Sequence, residues 1–168
     1  MRTVYLLSLW LHVVAAGVWI GSMVFLGAVI APVMRRLDTT RSELSRQLWE
    51  EVGRRYRIVG WMSLALLFLT GTINIGLRGY RGSDWIEGTL FAGSFGRTLL
   101  GKLLLVALLV GLTLWHERRL GSQSLAYASP EEWRRWRRQA AYLGWGMLLL
   151  SLLIAGFGLL LARGGFSF

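Results

Sequence analysis

The sequence predicts an all-α integral membrane protein: a single domain over residues 1–168, built as an antiparallel bundle of four transmembrane helices with both termini on the outer side. Three observations predict it. Of 168 residues, 54% are hydrophobic and only 17% charged, too apolar for a short soluble domain and too rich in aliphatic and aromatic side chains for a disordered chain. Four apolar segments, 4–33, 58–77, 97–115 and 140–162, reach or approach the ~20 residues that cross a hydrocarbon core. The cations, 18 Arg and one Lys against nine acids, lie in the connections beside these segments. That placement suits anionic lipid and topogenic signalling, and it speaks against nucleic acid as a partner.

The first segment is about twice the length of a signal-peptide core and is read as a retained span, ending at the proline and charge stop Ala31-Pro32-Val33-Met34-Arg35-Arg36. In the connection 34–57, Leu44, Leu48, Val52 and Tyr56 recur every four residues on one helical face, so the second helix is expected to begin before the membrane. The middle connection 78–96 is Gly-rich. In the connection 116–139, Ser129-Pro130-Glu131-Glu132 is a helix start: a Ser cap, Pro at the first helical position, and acids where the helix dipole favours them. Trp133 and Trp136 follow among arginines, as in a helix entering through headgroups.

Cationic residues resist translocation, which sets the orientation. Arg35, Arg36, Arg41, Arg46, Arg54, Arg55 and Arg57, with Arg118, Arg119, Arg134, Arg135, Arg137 and Arg138, make thirteen in the first and third connections. Arg2, Arg78, Arg81, Arg97 and Arg163 make five on the other side. Connections 34–57 and 116–139 are therefore expected to be cytoplasmic and 78–96 outer, in a bacterial or archaeal inner (plasma) membrane. Gly17-Val18-Trp19-Ile20-Gly21 is a small-xxx-small pattern; it reads first as bundle packing, with a homo-oligomer or a larger membrane complex as the alternative use.

The chain has no cysteine, which excludes disulfides, zinc–thiolate sites, iron–sulfur clusters and thiol catalysis. No carboxylate lies within a span, and neither a Ser-His-Asp set nor a P-loop is present, so a hydrolase or nucleotide-driven pump is a poor reading and no catalytic residue is assigned. Ligand binding, electron transfer, ion passage and a structural role remain.

Ionisable groups at membrane depth are costly, and only His12 and Lys102 are clear cases. At 1.5 Å per residue His12 lies ~10 Å and Lys102 ~8 Å below the outer surface, a shared depth. Thr70, Thr72 and Asn74 fall in the same half, and Thr70 and Asn74, four apart, share a face. Trp19, seven residues after His12, lies on the same face of the first helix. The plainer alternatives are a packing hydrogen bond for His12 and snorkelling for Lys102. His116 is ~21 Å from Lys102 along the third helix, too far to share a ligand with His12, and reads as interfacial. Met23, Met34, Met62 and Met147 map to the middle or inner half with no cluster visible.

Leu11-His12-Val13-Val14-Ala15-Ala16-Gly17-Val18-Trp19-Ile20-Gly21 resembles the opening helix of CopD-type copper-resistance membrane proteins. Leu69-Thr70-Gly71 and Gly96-Arg97-Thr98-Leu99-Leu100-Gly101-Lys102-Leu103 resemble the Thr-Gly and Gly-Arg-x-Leu-Leu-x-Lys patterns of that family, so the likeness runs over residues 5–116. A His followed by Trp, with a Lys in the third helix, is also similar to HemJ-type protoporphyrinogen oxidases. The second resemblance implies haem b with His12 as axial ligand and Lys102 meeting a propionate or assisting proton transfer. By depth and shared face, Thr70 and Asn74, with Trp19 on the His12 face, are expected in the same cofactor site. One histidine suits a haem iron better than a copper ion, so haem b at His12, serving electron transfer or haem-linked oxidation in a membrane oxidoreductase, is the first expectation. Copper uptake or delivery, with copper in place of haem, is the second, and an accessory subunit without cofactor the third.

Overall fold

The computed structural model describes residues 2–40, 42–79, 82–91, 93–120 and 129–165. Arg41 and Arg81, both counted for orientation, lie outside the described residues. All described regular structure is helical: α1 Arg2–Phe25, a π-helical turn Leu26–Ile30, α2 Ala31–Thr40, α3 Ser42–Leu77, α4 Gly82–Ile86, a 3-10 turn Thr89–Phe91, α5 Gly93–Leu120 and α6 Pro130–Ala162. Among the described residues four helical stretches are long and apolar enough to cross a membrane: Arg2–Leu37, Glu43–Leu77, Gly93–Arg118 and Glu131–Ala162. The expected all-α four-span class is what the chain adopts.

The helix does not stop at Pro32. Proline removes one backbone donor and its ring crowds the carbonyl four residues back, which ordinarily breaks a helix. Here the turn before it is widened, with the Ala31 N–H bonding to the Leu26 carbonyl five residues earlier. That π turn absorbs the misfit, so α2 runs on to Thr40. Beyond it α2 folds back against α3, and the fully buried Ser45 donates its hydroxyl to the Met34 carbonyl at 3.4 Å.

The early start expected for the second helix is present, since α3 begins at Ser42. Of its predicted stripe, Leu48, Val52 and Tyr56 are half-buried whereas Leu44 is exposed. The Ser129 start is also present as a capping box: Ser129 Oγ accepts from the Glu132 N–H, and the Glu132 carboxylate accepts from the Ser129 N–H at 2.8 Å.

Packing arranges the spans as two antiparallel pairs, α1 with α3 and α5 with α6, joined mainly by α1 against α6. The buried stripe of α1 is Ser8, Ala15, Trp19 and Met23. Gly17 and Gly21 each lie two residues from Trp19, about 200° around the helix. They are exposed with open space beside them, so the small-xxx-small pattern does not serve packing within this bundle.

At the end carrying the termini, the middle connection folds inward. Leu90 is fully buried against Leu99 and Leu161, and the Leu90–Phe91 backbone sits where a side chain on Gly96 would project, 2.4 Å from its Cβ position. Arg78 donates to the Leu161 carbonyl at 3.2 Å and to Tyr5 Oη at 3.3 Å, with its guanidinium 5.2 Å from the Phe95 ring centre. At the arginine-rich end Trp61 donates to Glu117 at 2.8 Å, joining α3 to α5.

Candidate functional site

The site is built on the inward stripe of α1, where Ser8, His12, Ala15, Trp19 and Met23 recur at intervals of three or four residues and so share one face. Its N-terminal half meets α3. Ser8 Oγ donates to the Thr70 carbonyl at 3.4 Å, and His12 Nδ1 lies 2.7 Å from Thr70 Oγ1. The ring rests on Gly71, whose Cβ position is 3.5 Å from His12 Cε1. A glycine here lets the imidazole lie against the α3 backbone.

Proton accounting assigns the tautomer. Thr70 Oγ1 carries one proton and lies 2.6 Å from the Leu66 carbonyl, to which it donates. Its oxygen therefore accepts from His12 Nδ1–H. A neutral imidazole protonated at Nδ1 has its lone pair on Nε2, the arrangement in which a histidine ligates a metal while its other nitrogen is held by a hydrogen bond.

Asn74, one turn further along α3, is half-buried, and its Oδ1 is fully buried with no hydrogen-bond partner among the described residues. Thr72 turns away: it is exposed and donates to the Phe68 carbonyl. Lys102 of α5 is half-buried, with Nζ 3.5 Å from the Cβ position of Gly158 in α6. It is near enough to act on His12 electrostatically, while the direct contacts of the imidazole described above are all with α3.

Trp19 belongs to a different neighbourhood. Its indole N–H donates to Ser151 Oγ of α6 at 3.0 Å, and its ring lies 3.1 Å from the Cβ position of Gly60 in α3. It packs with Met23, Leu109, Met147 and Leu148. His116 is half-buried beside Glu117, which takes the Trp61 bond and lies 3.9 Å from Arg57.

The sequence pointed to Gly71 through its Thr-Gly pattern, but not to Ser8, which completes the His12 environment, nor to Ser151, which holds Trp19. Ser8 precedes His12 by four residues, a usable signal. Ser151 offered none, because only the tertiary pairing of α1 with α6 brings it to Trp19. The haem b expectation finds no support in this arrangement. Two hollows, each of about 410 Å³, lie at Gln47–Arg57 of α3 and at Gly156–Arg163 of α6, away from the imidazole. Among the described residues no three His, Asp or Glu side chains converge as a metal cluster.

The family described as copper resistance protein D, CopD, matches residues 50–162. The match takes in Leu69-Thr70-Gly71 and Gly96–Leu103 and leaves the His12 stretch of α1 outside it. An uncharacterized protein of Aquifex aeolicus (strain VF5) is 32% identical over 159 residues, covering 94% of this chain and 95% of that one. No solved structure matches the chain. Four apolar helices and a family match over most of the chain together lead to one conclusion: this protein belongs to the CopD family of copper-resistance membrane proteins.

Proposed function

We propose that the protein takes up or delivers copper ions across the membrane, with His12 as the ligand that first receives the ion. The observation that carries this reading is the Thr70 hydrogen bond, which leaves Nε2 of His12 as the ligating nitrogen. Imidazole is a competent copper donor, and the buried, unpartnered Asn74 Oδ1 adds a polar group on the same part of α3. The sparse donor set suits cargo in transit, because conduction needs sites weak enough to release the ion. Nothing comparable favours haem b in electron transfer.

The test uses protein in proteoliposomes and in cells. Copper accumulation is expected to fall at least tenfold on His12→Ala while the protein inserts in normal amount. Accumulation that is indifferent to His12→Ala and Lys102→Ala counts against the reading. A visible spectrum with a pyridine haemochrome assay separates the alternative: a b-type signal near one haem per chain, lost in His12→Ala, would replace copper by haem. Stable co-purification of a colourless, copper-free chain with another membrane protein would instead point to the accessory-subunit role.

A further inference from the structure

The structure sorts the internal methionines. Met23 of α1, Met34 of α2 and Met147 of α6 are 9%, 6% and 7% exposed, whereas Met62 of α3 is 67% exposed. In a soluble core this would need no further account, since a flexible thioether fills gaps. In a bundle surrounded by lipid tails, an apolar side chain gains little by moving inward, because the tails are as apolar as leucine. The leucines divide, with Leu6, Leu104, Leu149 and Leu159 facing outward and Leu109 and Leu148 buried, whereas three of the four internal methionines are buried.

Met23 and Met147 belong to one buried cluster with Trp19, Leu109 and Leu148. The helices that carry them are pinned at this level: Trp19 donates to Ser151 Oγ at 3.0 Å, and Ser151 donates in turn to the Met147 carbonyl at 2.8 Å. Met23 continues the α1 stripe that holds His12, about 16 Å further along at 1.5 Å per residue. Met23 thus shares the α1 face of the imidazole, and Met147 of α6 lies in the same buried cluster as Met23.

Charge decides which copper ion such a path takes. Every donor named, imidazole, amide oxygen and thioether, is neutral. Lys102 adds a positive charge within electrostatic range of His12. The cost of carrying an ion into low dielectric grows with the square of its charge, and repulsion by Lys102 grows in proportion to it. A monovalent ion is favoured on both counts, and thioethers select the cuprous state.

We propose that Met23 and Met147 form a thioether site for a cuprous ion, a second station beyond His12, so that the cargo is Cu(I). This rests on the copper reading above. The test is anaerobic titration of the full chain in detergent with Cu(I) against a competing chromophoric chelator, joined to copper X-ray absorption. The wild type is expected to bind two ions and to give sulfur scattering. Met23→Leu with Met147→Leu, a nearly volume-conserving change, should weaken one site at least tenfold and remove the sulfur signal. His12→Ala should weaken the other site and keep that signal, and the outward-facing control Met62→Leu should change neither. Should the double variant fail to fold, each single variant is expected to give the same loss in part.

Unchanged affinities and sulfur scattering in the methionine variants would overturn the thioether site, reducing Met23 and Met147 to packing, and leave the copper reading standing. Tighter binding of Cu(II) than of Cu(I) by the wild type would overturn the cuprous assignment. A wild type that binds no Cu(I) would overturn the site and the copper reading together.

Discussion

Around His12 a single hydroxyl does two jobs: Thr70 satisfies a carbonyl of its own helix and receives the imidazole proton from α1. Removing the hydroxyl leaves the imidazole N–H only the Leu67 carbonyl as an acceptor and loosens its hold on the ring. Thr70→Val is therefore expected to weaken copper binding about 10–100-fold, the usual effect of losing the partner that orients a ligating histidine. Thr70→Ser, which keeps the hydroxyl, should stay near wild type. Copper titration of the two variants side by side checks this, and equal affinities would show that Thr70 does not orient the ligand. The effect on stability should be small, about 0.6 kcal/mol, because interhelical hydrogen bonds in membranes are worth little on average.

Two elements depart from simple spans, each for a local reason. The first helix passes Pro32 because the preceding π turn removes the clash, and this carries Met34 against α3 rather than releasing the chain into a loop. The middle connection lies on α5 only because Gly96 has no side chain. A Cβ there would fall 2.4 Å from the Leu90 carbonyl oxygen and 2.5 Å from the Phe91 backbone, neither of which is a flexible end that can yield. Gly96→Ala is expected to destabilise the protein by about 1–3 kcal/mol, the range for overpacking. It should lower the thermal midpoint in detergent even though alanine is the better helix former. Gly76→Ala, a helical site with nothing within 4 Å, is the matched comparison and should be neutral or slightly stabilising. Equal midpoints for the two variants would remove the close approach from the account.

For the whole molecule, the distribution of arginine predicts both termini outside, and the absence of cysteine makes this directly measurable. Single cysteines introduced as Glu87→Cys and Gln139→Cys should behave oppositely toward a membrane-impermeant maleimide on intact cells. Position 87 should label from outside, and position 139 only after permeabilisation. The reverse pattern would invert the topology and move the His12 half of the bundle to the cytoplasmic face, making it an exit rather than an entry. Lateral order belongs to the same scale: α1 lies between α3 and α6, so one helix presents His12 to Thr70 and Trp19 to Ser151.

Span number, helical class and the polar residues at membrane depth were legible in the sequence because they follow from run length and from the cost of ionisable groups in hydrocarbon. The cap at Ser129 was legible for an equally local reason, since it is written within four consecutive residues. Depth alone grouped His12, Thr70, Asn74 and Lys102, but facing could not be read from it. Only the packing decided that His12 bonds to Thr70, that Thr72 turns out, and that Trp19 joins Met23 and Met147 instead of the histidine. In lipid there is little apolar gradient to mark the inward face of a helix. Which faces meet is settled by the fit of whole helices, and that information is spread over residues far apart in the chain.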